Sequence, residues 1–219
     1  FTEEDELPDD TVTAVAFAAE GTAWVGTGGG ICLFDGKTWT TVTPDDGLPG
    51  DMVTAVAVGA DDTLWATINA FSYQGLARLD GDSWTTFNNV TKPDSLSIGP
   101  DGTPWVGCCD MHDGGIYHFD GQNWTRYSED DGVDNCVHDI AIAADGVVWA
   151  ATESSVATFD GDAWVNYTTA DGLAGEPNAI AIDQEGTVWI GTEAGVSRFD
   201  GETWTTVTAD DGLAAETVR

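Results

Sequence analysis

Short runs in which large apolar residues alternate with small or polar ones recur along the whole chain and predict many short β-strands. In each run, large apolar residues stand nine and seven positions before a tryptophan, with a small residue between them. Alternation with a period of two is typical of strands. Acid–glycine or acid–acid pairs follow the runs and predict tight hairpin turns. The large residues of the five runs are Val15/Phe17, Val56/Val58, Leu96/Ile98, Ile140/Ile142 and Ile180/Ile182.

These runs belong to a unit that the chain repeats five times. The first tryptophans of the units are Trp24, Trp65, Trp105, Trp149 and Trp189. A second tryptophan follows an Asp-Gly pair in each unit, and the pairs are separated by 45, 40, 40 and 40 residues. A period near forty with several short strands per period predicts an all-β fold, a five-bladed β-propeller in which each blade is a four-stranded antiparallel sheet. Because one blade cannot bury its own faces, residues 1–219 are predicted to form a single domain.

Two repeats carry a longer loop between their predicted second and third strands. The two tryptophans are 19 residues apart in repeats two and three but 15 apart in the others, and the extra residues lie at 68–75 and 108–115. In a propeller, that loop shares a face with the connection between successive repeats, which here contains Asp-Gly-Leu or a similar sequence. Function concentrates on elaborated loops over a rigid scaffold. This face is therefore the candidate surface for a protein, small-molecule or glycan ligand.

The two ends of the chain align with the same part of the repeat. Residues 1–12 match residues 42–53 and also residues 207–218. Both ends cannot occupy one position in a closed five-bladed ring, so either one end is displaced or the chain is a segment of a longer array. We expect closure, because an open array leaves a sheet edge and an aromatic face exposed.

The units resemble the two-component-regulator propeller repeat. The shared motifs are Gly-x-x-Trp-x-Gly-Thr at 186–192, Phe-Asp-Gly at 199–201, a tryptophan at Trp204 and Asp-Gly-Leu at 211–213. The resemblance covers nearly the whole chain. It implies a periplasmic or extracellular module for sensing or binding, often found beside signalling domains, although this chain has five repeats where the family commonly has more.

The charge of the chain excludes some partners. It has 39 acidic and 6 basic residues, which gives a formal net charge of −33. Nucleic acid and anionic lipid both require a basic surface, so neither is a predicted partner. Three explanations of the acidic surface stay open: simple solvation, adaptation to high salt, and weak Ca²⁺ binding at Asp-rich loops, which offer hard oxygen ligands.

Three features of the sequence bear on the compartment in which the protein is found. The sequence has no apolar run of about 18 residues, so no membrane-spanning segment is predicted. Phe1 is not an initiator methionine, which indicates a processed product or a segment of a longer protein. Asn89, Asn123 and Asn166 lie in sequons that permit glycosylation outside the cytoplasm. We expect an extracellular, periplasmic or cell-surface location.

A ligand site should break the repeat, and one polar position does so. Eleven residues before the first tryptophan, near the predicted mouth of the central channel, the residues are Thr13, Thr54, Asp94, His138 and Asn178. At the next position Asp139 replaces an alanine or serine. Asp94, His138, Asp139 and Asn178 are therefore candidate ligand-binding residues, the alternative being that they only hold water.

Cysteines and histidines converge on the same part of the chain. In an extracellular chain, Cys136 is predicted to form a disulfide with Cys108 or Cys109. The alternative is a Zn or Cu ion held by Cys108, Cys109, His112, Cys136 and His138, although the spacing is not a standard zinc pattern. Cys32 lies on a third strand and is predicted to be a buried small side chain.

These observations favour a non-catalytic binding or interaction module, sensor-like or adhesive, of a secreted or cell-surface protein. The chain contains neither Gly-x-Ser-x-Gly nor a phosphate-binding loop, so no catalytic residue is assigned and no cofactor is required. One alternative is a structural subunit of an extracellular assembly. The other is an enzyme, such as a propeller lyase that uses His138 with Asp94 or Asp139.

The net charge generates a prediction about salt. The melting temperature should rise as NaCl increases into the molar range, because screening weakens repulsion among the acidic residues. Thermal unfolding followed by circular dichroism across a NaCl series measures this. A flat or falling curve would contradict adaptation to salt, whereas stabilisation by millimolar Ca²⁺ beyond that by Na⁺ of equal ionic strength would indicate calcium sites.

Overall fold

Twenty strands form five four-stranded antiparallel sheets in this computed structural model, which describes residues 7–18, 21–215 and 217–218. Sheets one to five follow the chain, and each has its strands in sequence order. The strands are β1 Val12–Phe17, β2 Ala23–Thr27, β3 Gly30–Phe34, β4 Trp39–Val42; β5 Val53–Val58, β6 Leu64–Asn69, β7 Gln74–Asp80, β8 Ser83–Phe87; β9 Pro93–Ile98, β10 Pro104–Cys108, β11 Gly115–Phe119, β12 Trp124–Tyr127; β13 Val137–Ile142, β14 Val148–Thr152, β15 Val156–Phe159, β16 Trp164–Tyr167; and β17 Pro177–Ile182, β18 Val188–Thr192, β19 Gly195–Phe199, β20 Trp204–Val207. The predicted all-β class and the four strands per repeat are confirmed.

Contacts between Cα atoms divide the chain into two compact units. The first contains the described residues up to Val106 together with Phe119–Trp124, and the second contains Gly107–His118 and the described residues from Thr125 onward. The residues of sheet three are divided between the units. The packing of each unit is described separately below.

Aspartate side chains close many of the turns between strands. In the Asp-Gly turn of sheet one, Asp35 Oδ1 accepts the N–H groups of Lys37 and Thr38, each at 2.8 Å. These hydrogen bonds stabilise the carboxylate and lower the pKa of Asp35. Asp120, Asp160 and Asp200 accept the equivalent pairs of N–H groups in sheets three, four and five. Each of these aspartates therefore supplies the acceptor that a tight turn otherwise lacks.

A second set of aspartates stabilises the connections after the outer strands. After sheets one, three and five, the connection is a single 3₁₀ turn, at Pro44–Asp46, Glu129–Asp131 and Ala209–Asp211, and its last aspartate accepts the N–H of the residue before the turn. Asp171 makes the same bond to Thr168 N at 2.8 Å. The apolar residues that follow, Leu48, Val133 and Leu173, are buried. The connection is thus held by an aspartate hydrogen bond and by the buried apolar side chain that follows it.

A buried threonine closes the short turn between the second and third strands. Thr192 Oγ1 donates to Gly195 O at 2.9 Å and accepts Ala194 N–H at 3.1 Å. Thr27 and Thr152 donate to Gly30 O and Ser155 O in the same way. In the two sheets with elongated loops, this position is occupied by Ile68 and Cys108, which are fully buried. The hydroxyl is therefore present where the turn is tight and replaced where the loop is long.

In the first unit, sheets one and two pack face to face. Ile31, Val53, Val56, Leu64 and Ala66 are buried in one cluster, and Trp24 and Trp84 pack against it. Gly26 permits close approach, because a Cβ there would lie 2.9 Å from Val53 Cγ1. The inner strand of sheet two therefore packs directly on sheet one.

In the second unit, sheets four and five pack with an aromatic core. Trp149, Val156, Val188 and Ile190 are buried together, and Phe199 packs against them. The ring centroids of Trp149 and Phe199 are 5.6 Å apart. Such aromatic pairs add about 0.5–1.5 kcal/mol beyond the area that they bury.

Leu7, near the start of the chain, packs on sheet one, and Val218, near its end, packs on sheet five. Leu7 is buried against Val25 and Cys32 of sheet one. At the other end, Val218 N donates to Thr192 O at 2.8 Å, and Val218 Cγ1 lies 3.1 Å from the position of a Cβ on Gly191. Val218 therefore lies against sheet five as Val53 lies against Gly26 of sheet one. Residues 1–6 of the predicted terminal overlap, and Glu20 of the first predicted turn, lie outside the described residues.

The buried threonine that closes the short turn between the second and third strands generates a stability prediction. Thr192→Val keeps the side-chain shape but leaves Gly195 O and Ala194 N–H without their buried partner, so it should lower the free energy of unfolding by about 1–3 kcal/mol. Urea titration measures the change. Thr86→Val, on an exposed outer strand, is the matched control and should change stability by less than about 0.5 kcal/mol. Equal effects of the two substitutions would contradict the stabilising role of the Thr192 hydroxyl.

Candidate functional site

The elongated loop of sheet three, residues 108–115, is attached by a disulfide to the start of sheet four. Cys109 is bonded to Cys136, 27 residues later in the chain, and the two residues also form an isolated antiparallel bridge. Of the two pairings that the sequence left open, the structure contains the one with Cys109. Cys108 is fully buried at the end of β10. All of these residues belong to the second unit.

Main-chain geometry fixes the course of this loop. Asp110 Oδ1 accepts the N–H groups of His112 and Asp113, at 2.9 and 3.2 Å, and Gly114 N donates to Asp110 O at 2.9 Å. Asp110 N donates to Asn135 O at 3.2 Å. A side chain at Gly114 would overlap Asn135 O, so the close approach of the two segments requires glycine.

Arg126 supports the same loop from the outer strand of its sheet. Its guanidinium donates to Gly114 O at 2.8 and 3.0 Å and to His112 O at 3.0 Å. It also lies 5.8 Å from the centroid of the Tyr117 ring, while the Tyr117 hydroxyl donates to Asp113 O at 2.7 Å. Burial raises the pKa of Tyr117, which keeps this hydroxyl protonated and able to donate.

The supported loop presents a large apolar side chain at its tip. Met111 is 86% exposed, and the adjacent His112 is also exposed. An exposed methionine in an ordered loop is a typical adaptable contact for a binding partner. The sequence analysis assigned the loop but missed Met111, although a large apolar residue within a polar insertion is a signal that sequence contains.

The elongated loop of sheet two, in the first unit, has the same design. Phe71 is fully exposed at its tip. Tyr73 holds the loop, because its hydroxyl donates to Leu76 O at 2.8 Å and accepts Phe87 N–H at 3.1 Å. Ala70 N also donates to Tyr73 O. Both elongated loops therefore combine a tyrosine anchor with an exposed apolar tip, here called the loop tips, Phe71 and Met111.

The polar position predicted at the channel mouth coincides with a β-bulge in each inner strand for which the register is defined. The pairing shifts between Val12 and Ala14, Val53 and Ala55, Val137 and Asp139, and Pro177 and Ala179. The extra residues are therefore Thr13, Thr54, His138 and Asn178. Bulges redirect side chains. Thr13 and Thr54 use this to donate to Val53 O and Pro93 O, at 2.8 and 2.7 Å.

The four candidate channel residues have different environments. Asp139 Oδ1 accepts Ile140 N–H and Oδ2 accepts Ile180 N–H, each at 2.9 Å, so its carboxylate links neighbouring inner strands. Burial raises the pKa of Asp139 despite these bonds. His138 is exposed and its Nδ1 lies 3.9 Å from Cys136 Sγ, while Asn178 has a buried Nδ2 with no hydrogen-bond partner among the described residues. Asp94 is exposed in the first unit.

The metal alternative does not fit this arrangement. The sulfur atoms of Cys109 and Cys136 are bonded to each other and are not available as thiolates. Across residues 7–18, 21–215 and 217–218, no group of three or more His, Cys, Asp or Glu side chains is placed to hold a metal ion. Asp residues of the turns accept backbone N–H groups, as described above, and Ca²⁺ binding stays a prediction.

The three sequon asparagines are all exposed. Asn166 differs from the others because its Nδ2 donates to Gly132 O at 2.7 Å and its Oδ1 accepts the Ser155 hydroxyl at 3.3 Å. Asn123 Nδ2 lies 3.4 Å from Asp120 Oδ2. A glycan on Asn166 would be attached to a nitrogen that is already hydrogen-bonded to the main chain. Asn89 and Asn123 are the more accessible candidates.

The described part of the chain contains no helix of the length and hydrophobicity that crossing a membrane requires. No protein-family model matches this sequence, and no curated protein is similar to it.

Solved structures share the fold at low sequence identity. The extracellular domain of a hybrid two-component system from B. thetaiotaomicron matches with a TM-score of 0.79 at 17% identity, over 95% of this chain and 30% of that one. Virginiamycin B lyase from Staphylococcus aureus matches with a TM-score of 0.71 at 15% identity, over 90% and 70%. YCF48 bound to D1 peptide matches with a TM-score of 0.68 at 17% identity, over 94% and 70%.

These similarities show a β-propeller fold, and they agree with the resemblance of the repeats to those of two-component regulators. The chain spans less than a third of the length of the two-component domain that it matches. Identity of this order carries the fold and does not by itself assign an activity.

The disulfide generates a stability prediction. In the chain-entropy model a crosslink across 27 residues contributes about 3–4 kcal/mol, so the double substitution Cys109→Ser/Cys136→Ser should lower the free energy of unfolding by that order. Urea titration with and without reductant measures the loss, and reductant should weaken the wild type but not the double variant.

A peptide map checks whether Cys136 is bonded to the segment that contains Cys108 and Cys109. Arg126 lies between this segment and Cys136 in the sequence, so trypsin separates the two unless they are bonded. The unreduced protein should yield a linked peptide that reduction resolves into two. Free thiols at both positions, with stoichiometric Zn or Cu, would contradict the disulfide.

Proposed function

We propose that the chain is a non-catalytic binding module of an extracellular, periplasmic or cell-surface protein, and that each of the loop tips, Phe71 in the first unit and Met111 in the second, is by itself a contact for a peptide segment of a partner. The observation that carries the proposal is the exposure of these two apolar side chains on loops whose backbones are held in place. Rigid presentation reduces the entropy that binding must overcome. Phenylalanine and methionine are also enriched at protein interfaces.

The wider context supports the compartment and the ligand class. A disulfide persists in oxidising compartments outside the cytoplasm. Structural neighbours include an extracellular domain of a two-component system and YCF48 bound to D1 peptide. A peptide suits such a tip, because an extended chain presents its own apolar side chains to an exposed apolar residue.

The enzyme alternative has weaker support. A lyase that uses His138 as a base with Asp139 as its partner needs a carboxylate oxygen directed at the imidazole. Both oxygens of Asp139 instead accept backbone N–H groups. His138→Ala is therefore expected to leave peptide binding unchanged.

The test uses a phage-displayed random-peptide library selected on the immobilised wild-type chain, with a glycan array in parallel. Peptides that are enriched should bind the double variant Phe71→Ser/Met111→Ser at least tenfold more weakly, because both anchors are removed. Affinities are measured by biolayer interferometry. Val165→Ser is the matched control, since Val165 is an exposed apolar residue on an outer strand, and its affinities should be unchanged.

Three results would contradict the proposal. Enriched peptides that bind the double variant as tightly as the wild type would remove the loop tips from the site. Chemical conversion of a bound probe would show an enzyme. Binding confined to glycans would contradict the proposed peptide class.

A further inference from the structure

Each second-strand tryptophan faces one residue across the ladder on the third strand. This position varies among the sheets for which the pairing is defined. The partners are Leu33 for Trp24, Arg78 for Trp65, Thr158 for Trp149 and Arg198 for Trp189. In two sheets the chain therefore places its own arginine beside the tryptophan ring.

In sheet two, the arginine lines a small polar cleft. The Arg78 guanidinium lies 5.3 Å from the centroid of the Trp65 ring, and its Nη2 donates to Asp80 Oδ2 at 3.0 Å. Asp61 also lines this cleft, whose volume is about 280 Å³. In sheet five, Arg198 lies 5.7 Å from the centroid of Trp189. A cation over a tryptophan, next to carboxylates, is thus a recurrent arrangement in this fold.

In sheet four, the same position lacks a cation. Thr158 is too short to cover Trp149, and its hydroxyl donates to Val165 O at 3.3 Å. A cleft of about 470 Å³ lies over Trp149, between sheets four and five of the second unit, and Val188 and Phe199 also line it. Arg198 cannot fill this cleft, because it pairs with Trp189 while the adjacent pair Val188–Phe199 faces the opposite side of sheet five.

Carboxylates surround the mouth of the cleft. Asp145, Asp183 and Glu185 all line it. Asp183 accepts Trp189 Nε1–H at 3.0 Å and the N–H groups of Thr187 and Glu185, and these bonds, led by that of Trp189, lower the pKa of Asp183. The carboxylate is therefore a fixed anion at neutral pH. The cleft therefore has an indole and nearby carboxylates, as the surroundings of Arg78 do, but no arginine among the described residues lines it. The three carboxylates are called the rim below.

We infer that the cleft over Trp149 binds an arginine side chain presented by a partner chain. The guanidinium takes the place over the indole that Arg78 takes over Trp65, and the rim carboxylates accept its N–H groups. The cleft lies beside the turns between the first and second strands of sheets four and five, at the opposite end of these sheets from their turns between the second and third strands. It is a separate site, and its existence does not depend on peptide binding by the loop tips.

The test uses Nα-acetyl-arginine methylamide as the probe and its citrulline analogue as the neutral isostere. Binding is followed at constant ionic strength by the indole N–H signals in ¹H–¹⁵N spectra, with the signal of Trp149 assigned from Trp149→Phe. The arginine probe should shift the Trp149 signal saturably, and the citrulline analogue should bind at least tenfold more weakly.

Thr158→Arg supplies the missing arginine from within the chain. This variant should bind the probe at least tenfold more weakly than the wild type. Thr86→Arg, on an exposed strand of sheet two, changes the net charge equally and should bind within twofold of the wild type. The comparison shows whether the probe binds in the cleft or is only attracted to the negative charge of the whole protein.

A second pair of variants avoids any change within the sheet. Asp145→Asn/Glu185→Gln removes two rim charges and should weaken binding at least threefold. Asp45→Asn/Glu129→Gln removes two exposed charges elsewhere and should have no effect. The inference is overturned if the Trp149 signal does not shift, if citrulline binds equally well, or if the two members of either pair of variants behave alike.

Discussion

The fold depends on satisfying the backbone N–H groups of its tight turns, and aspartate side chains share this task with main-chain carbonyl groups. Strands of only four to seven residues require a turn every few residues, and each turn exposes donors that no ladder can pair. Asp35, Asp160 and their equivalents accept these donors after the third strands, and Asp46, Asp171 and their equivalents accept them after the outer strands. A substantial part of the acidic composition is therefore structural, and the acidity of the surface follows partly from the way in which the repeat closes its turns.

The periodic part of the structure was predictable from sequence because the same sequence features recur in every repeat. Alternating large and small residues, Asp-Gly pairs and paired tryptophans fixed the strand count and the order of the strands. The bulges were not predicted, although they lie at the polar position that the sequence analysis selected. A bulge adds a residue to one strand without changing the period-two pattern enough to be recognised, so the role of Thr54 as a link to Pro93 needed coordinates.

The candidate site was only partly predictable. The insertions marked the elongated loops, and the redox chemistry of an extracellular chain indicated a disulfide from Cys136, but adjacent cysteines gave no means of choosing between Cys108 and Cys109. The choice depends on which Cβ points toward the neighbouring segment at the end of β10, where Cys108 is turned into the core. Likewise, Tyr73 and Arg126 act through contacts made 14 and 12 residues away in sequence, which no local pattern records.

The exposure of Phe71 and Met111 has a consequence for the colloidal behaviour of the protein. With a formal net charge of −33, two molecules in dilute salt repel each other over a Debye length of about 10–30 Å, so their apolar tips rarely meet. In molar salt the Debye length falls to about 3 Å, shorter than the reach of a phenylalanine side chain, and excluded salts also strengthen apolar association. The ionic conditions that relieve repulsion within one molecule therefore remove the barrier between molecules. The useful salt range of this chain is set by a balance between folding and self-association.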